Sequence, residues 1–118
     1  MKNDNLEKVK KQMKRGVLEM CILSIISEGE IYPSDILGRL KKIGPEILVK
    51  EGTLYPLLTR LKNAGMLQYT WRESTQGPPR KYYSITEQGK LFLNGLLQTW
   101  NQLVLAVNNT TKNLTINE

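Results

Sequence analysis

The chain has 118 residues, enough for one domain with a modest core, or for a smaller domain with a long helix attached. Its formal charge of +6 and pI near 9.5 favour a polyanionic partner, either nucleic acid or an anionic membrane surface. No apolar run approaches the roughly 18 to 20 residues of a spanning helix, and the N-terminus lacks the apolar core of an export signal. Histidine, the commonest general base and metal ligand, is absent, so the expectation is a cytoplasmic protein that is not an enzyme and holds no metal or cofactor.

From Leu6 to Glu28 no proline interrupts the chain, and Leu6, Val9, Met13, Gly16, Met20 and Leu23 recur at steps of three and four. That spacing predicts one long helix with a seam for another helix. Before Gly16 the remaining positions are mostly polar, whereas Val17 to Ile26 is apolar nearly all round, so the second half should run through a core. The single cysteine, Cys21, falls in that run and reads as a small hydrophobe. Gly29 ends the helix; Pro33 suits the first turn of a second helix, whose face is Ile36, Leu37, Leu40 and Ile43 and whose stop is Gly44-Pro45. A third helix is expected from Thr53 to Ala64, with Thr53 as cap, Pro56 within the first turn and Leu54, Leu57, Leu58 and Leu61 inward.

After Gly65 the period becomes two, with Leu67, Tyr69 and Trp71 on one side of a strand. Ser74 to Pro79 reads as a turn and Lys81 to Ile85 as the returning strand. Thr86 is a good cap for a last helix with Leu93, Leu96, Trp100, Leu103 and Val107 at three-four spacing. The expected organisation is a DNA-binding domain over residues 1–85, a dimerisation helix over 86–108 and a flexible tail over 109–118. Asn108, Asn109 and Asn113 match the glycosylation pattern only as chance features of an Asn/Thr-rich tail.

Three helices followed by a hairpin is the layout of a winged helix-turn-helix, a mainly α fold with a small β-hairpin. Two motifs sharpen this: Gly52-Thr53-Leu54-Tyr55-Pro56-Leu57-Leu58 with Arg60-Leu61 and Gly65, and Arg80-Lys81-Tyr82-Tyr83-Ser84-Ile85-Thr86-Glu87-Gln88-Gly89. Together they closely resemble the PadR family of bacterial transcriptional regulators, over roughly residues 12 to 107. The single short C-terminal helix resembles the smaller subfamily that includes the lactococcal multidrug-resistance regulator. One departure is Pro33-Ser34, where the family commonly has a Gly-Tyr pair.

In a winged helix the third helix offers its outward residues to base edges, here Thr53, Tyr55, Pro56, Thr59, Arg60 and Lys62. The resemblance implies a DNA contact for Tyr55. Lys50 favours phosphate, and Arg72, Arg80 and Lys81 give a positive hairpin tip suited to phosphate or the minor groove. The apolar stripes of the first and last helices exceed what so small a core covers, so a two-fold homodimer is expected, with Leu6, Val9, Met13, Leu93, Leu96, Trp100, Leu103 and Val107 in its interface. The resemblance further implies repression of transcription, and it makes Trp100 a candidate stacking site for a planar aromatic small molecule. The rival reading is a winged helix used for protein contact or for non-specific DNA packaging.

Overall fold

A computed structural model describes residues 4–114. In chain order its elements are α1 (Asp4–Ser27), α2 (Pro33–Ile43), a short 3-10 turn (Pro45–Ile47), α3 (Glu51–Asn63), β1 (Leu67–Ser74), β2 (Gly77–Ile85) and α4 (Glu87–Thr111). The two strands pair antiparallel, from Leu67 opposite Ile85 out to Ser74 opposite Gly77. Ile31 adds one rung on the other edge of β2, exchanging two backbone hydrogen bonds with Tyr83 at 3.0 and 2.9 Å.

The apolar second half of α1 forms the centre of the core, as its all-round pattern requires. Ile22, Leu23 and Ile26 are sealed there against Ile36 and Leu40 of α2 and Leu54 and Leu58 of α3. Pro33 occupies the first turn of α2 as expected. α3, however, starts two residues before the expected cap: the Lys50 carbonyl accepts from the Thr53 and Leu54 amides, each at 3.0 Å. Thr53 is therefore the third helical residue and no cap, and Pro56 lies past the first turn, where its ring deprives the Gly52 carbonyl of its usual partner.

Beyond α3 the chain turns through Gly65 at φ +84. Gly65 N–H donates to the Lys62 carbonyl at 3.0 Å and Met66 N–H to the Leu61 carbonyl at 2.9 Å, the paired bonds of a left-handed glycine cap. The hairpin corrects a second expectation, because only Thr75 and Gln76 form the turn and Gly77-Pro78-Pro79 already belongs to β2. Apart from the Ile31 rung at Tyr83, the outer edge of β2 is unpaired, so Pro78 and Pro79 forfeit no necessary ladder bond there.

Thr86 caps α4 as its position suggests: its hydroxyl oxygen accepts from Gly89 N–H at 2.9 Å and donates to the Gly65 carbonyl at 2.7 Å. Gly89 packs so closely on the turn after α3 that a Cβ would stand 2.1 Å from the Met66 carbonyl oxygen. α4 then leaves the domain and continues to Thr111, three residues past the expected end of the dimerisation helix. Thr110 and Thr111 hydroxyls donate to the Ala106 and Val107 carbonyls at 2.9 and 2.8 Å, and neither Gly nor Pro follows Gly95 in the helix. Of the expected tail, residues 115–118 lie outside the described residues.

Candidate nucleic-acid interface

With Leu54, Leu57, Leu58 and Leu61 buried, α3 turns Thr53, Tyr55, Pro56, Thr59, Arg60 and Lys62 to the surface, and Lys50 is exposed immediately before it. At 3.6 residues per turn these fall into three rows. Pro56 and Thr59 form the outward ridge, Tyr55 and Lys62 lean towards the hairpin, and Thr53 and Arg60 lean towards α1. A cleft of about 240 Å³ separates α3 from the wing, lined among others by Tyr32, Tyr55, Thr59, Pro79, Arg80 and Lys81. The opposite flank is a second depression in which Thr53, Pro56 and Arg60 are joined by Arg15 and Leu18 of α1.

Tyr55 is the aromatic hydroxyl on the outward part of α3. Loss of solvent around it, reinforced by Glu51 and Tyr32, raises its pKa above the ordinary 10.0. The phenol is therefore neutral at physiological pH and able to donate a hydrogen bond to a phosphate or a base.

The wing carries its cations on aromatic rings. Arg80 lies over Tyr32 at 4.7 Å, Arg72 over Tyr82 at 5.2 Å, and Lys81 over Tyr69 at 4.4 Å and Trp71 at 5.4 Å. Lys62 of α3 reaches the same Tyr69 ring at 5.6 Å. Stacking fixes a guanidinium plane while leaving its edge N–H groups free for an anion. The positive hairpin tip expected from sequence is corrected, since the turn is Thr75-Gln76 and the cations sit along the stem. Arg72 pairs directly with Arg80 across the strands, a like-charge juxtaposition that destabilises a sheet unless compensated. Glu30 compensates it by accepting from Arg72 and, at 3.0 Å, from the Thr70 hydroxyl.

Arg60, the single arginine of α3, is not a free cation. Its guanidinium contacts Glu19 of α1 at 2.6 Å, and that carboxylate is only 16% exposed. Sequence reading missed Glu19, Glu30, Tyr32 and Arg15 because each joins the surface through a contact between elements distant in the chain. Only Tyr32, an aromatic directly before a helix-starting proline, carried a local signal.

The family model for the transcriptional regulator PadR-like family matches residues 22–95, from the core half of α1 through the wing to the start of α4. The chain belongs to the PadR-like family. Among solved structures, this PadR-like protein is 50% identical to a PadR-like transcription factor from Bacteroides fragilis, with TM-score 0.75 over 87% of this chain and 98% of that one. It is 42% identical to a PadR-like regulator from Bacillus cereus, with TM-score 0.73 over 84% and 95% of the two chains. Bacillus subtilis PadR, solved in complex with operator DNA, is 28% identical with TM-score 0.64, covering 69% of this chain and 45% of that one. The PadR-like protein is thus a DNA-binding transcriptional regulator with a winged-helix fold, and not an enzyme. No helix among its described residues is long and apolar enough to cross a membrane.

Proposed function

We propose that the protein is a homodimeric, cytoplasmic repressor that places two α3 helices in successive major grooves of an inverted repeat. The observation that carries this reading is the long apolar face left open on α4. Leu97, Trp100, Leu103, Val104, Leu105 and Val107 are all exposed on a helix that buries only Gly89 and Leu93. Leu6 and Val9 on α1 are likewise about half exposed, and Met13 more so. Apolar surface of that extent is stabilised by covering it, and a second copy offers the matching surface. Leu93, expected in the interface, is 7% exposed within its own chain's core, and Leu96 packs against that core. The dimer seam therefore begins further along α4, around Trp100.

In this reading Tyr55, Pro56, Thr59 and Thr53 meet base edges, with Arg60 and Lys62 beside them. Lys50, Arg72, Arg80 and Lys81 hold phosphates. Trp100→Asp sets a charge in the seam far from α3; the variant sediments as a monomer and loses operator binding. A dimer that binds with wild-type affinity would refute the assigned seam. Footprinting upstream of the protein's own gene gives a protected inverted repeat, whereas uniform coverage would favour a packaging protein.

The effector class is a planar aromatic molecule stacking on Trp100. That ring is 42% exposed and lines a shallow depression with Met20, Cys21, Ile25 and Leu97. In a Trp71→Phe background, titration with a planar aromatic cation quenches the remaining tryptophan emission and releases DNA. Unchanged emission at saturation would remove this class of effector.

A further inference from the structure

We infer that the N-terminal half of α1 is a third DNA-contacting element, gripping phosphates on the flank of α3 opposite the wing. The inference rests on the DNA-binding reading above and adds a surface to it. Lys8, Lys11 and Arg15 are exposed and follow one another at steps of three and four. Each stands two residues after Leu6, Val9 and Met13 respectively, which on a helix puts it about 200° round the axis. The apolar row can therefore be covered by a second copy while the basic row faces away from that contact.

The direction in which the basic row faces follows from its inner end. Arg15 shares one surface depression with Thr53, Pro56 and Arg60, so the row begins beside the outward ridge of α3 and extends beyond the body of the domain. Among the described residues, the ion pairs of α1 join Glu7 to Lys10 and Glu19 to Arg60, leaving Lys8, Lys11 and Arg15 outside them. A duplex whose major groove receives α3 presents its flanking phosphates to both sides of that helix. The wing meets one side with Arg80 and Lys81, and the basic row is the matching charge on the other. Flexible lysine stems on a helix lying outside the groove suit phosphate oxygens and carry no base code.

The test compares two variants with equal loss of charge, Lys11→Gln/Arg15→Gln and Lys90→Gln/Lys112→Gln. Both are titrated at several salt concentrations against a duplex selected by the wild-type protein from a random-sequence library. Each phosphate contact contributes about 0.9 to the slope of log affinity against log salt. The α1 variant therefore loses about two from the slope per protomer bound, and the Lys90→Gln/Lys112→Gln variant loses none. Equal slopes for the two variants overturn the inference, and so does an α1 variant that weakens an acidic protein partner but not DNA. Hydroxyl-radical footprinting of the wild-type complex gives an independent readout. Protected sugars on both flanks of each α3 site support the inference, and protection on the wing flank alone refutes it. Absence of any selected duplex would instead sink the DNA-binding reading itself.

Discussion

Glu19 is an acid standing beside the surface proposed to meet DNA, and its contact with Arg60 accounts for its presence there. A nearly covered carboxylate holds the guanidinium in one orientation and lowers the local positive field. Glu19→Gln frees Arg60 and removes one negative charge from the interface. Affinity for a random duplex then rises about twofold to fivefold, the range of a screened charge pair, while the ratio of operator to random binding falls. Fluorescence anisotropy with the two duplexes measures both. Gly89 is constrained by packing instead of charge. A Cβ there meets the Met66 carbonyl oxygen at 2.1 Å and the Ile85 side chain at 2.7 Å, and neither is the loose end of a flexible side chain. Gly89→Ala should cost about 1 to 3 kcal/mol, lowering Tm by about 4 to 12 °C in a melt followed by circular dichroism.

At the scale of elements, the wing is a short ribbon in which Arg72 and Lys81 lie on the ribbon's own rings and Arg80 on a ring from another segment. Tyr32 precedes α2, yet it is the platform for Arg80. Tyr32→Leu should weaken operator binding about twofold to fivefold, equivalent to an exposed cation–π contact of about 0.5 to 1 kcal/mol. The same substitution in an Arg80→Ala background should do nothing further; an undiminished effect there would mean that Tyr32 acts by another route. Most helices were legible in the sequence because each buries one face, and burial imposes a period. Gly65 and Thr86 were legible because backbone conformation and capping select residue types locally. The start of α3 was not, since Lys50 caps with its carbonyl alone and any residue can do that. The start of β2 was missed because proline signals a turn, and only the free edges of a two-stranded ribbon accommodate it. The candidate interface was readable on α3, one face of one helix, and unreadable where Glu19, Glu30 and Arg15 complete it through tertiary contacts.

At the scale of the whole molecule, a chain without histidine has no side chain whose ordinary pKa lies between pH 5 and 8. Among the described residues, the groups with displaced pKa values lie at the alkaline end. Burial raises the Cys21 thiol above 9.0; burial, then Tyr69 and Tyr55, raises Tyr83 above 10.0; and Tyr55 is raised as described. Each is protonated more readily in the folded state, so the unfolded chain ionises first as pH rises and gains stability relative to the fold. Stability should be level from about pH 6 to about pH 8, then fall from about pH 9 as unfolded Cys21 ionises and more steeply from about pH 10 with the tyrosines. Cys21→Ala should delay the onset by about one pH unit. Thermal melts across this range check both, and a maximum of stability at alkaline pH would contradict the assignment.

The junction of Gly65, Met66, Thr86 and Gly89 has a mechanical consequence. Here the exit of α3, the base of the wing and the root of α4 are bonded within a few residues of one another, with no room for even a methyl group. Such a joint transmits rotation instead of absorbing it. The 25 residues of α4 make an arm roughly 37 Å long. In a dimer clamped along those arms, a ligand that changed their mutual tilt by about 10° would swing points that distance away by about 6 Å, a displacement comparable with the rise of two base pairs. In the proposed dimer the two chains would form a pair of rigid cranks whose handles meet, with their spacing on DNA set wherever those handles are gripped.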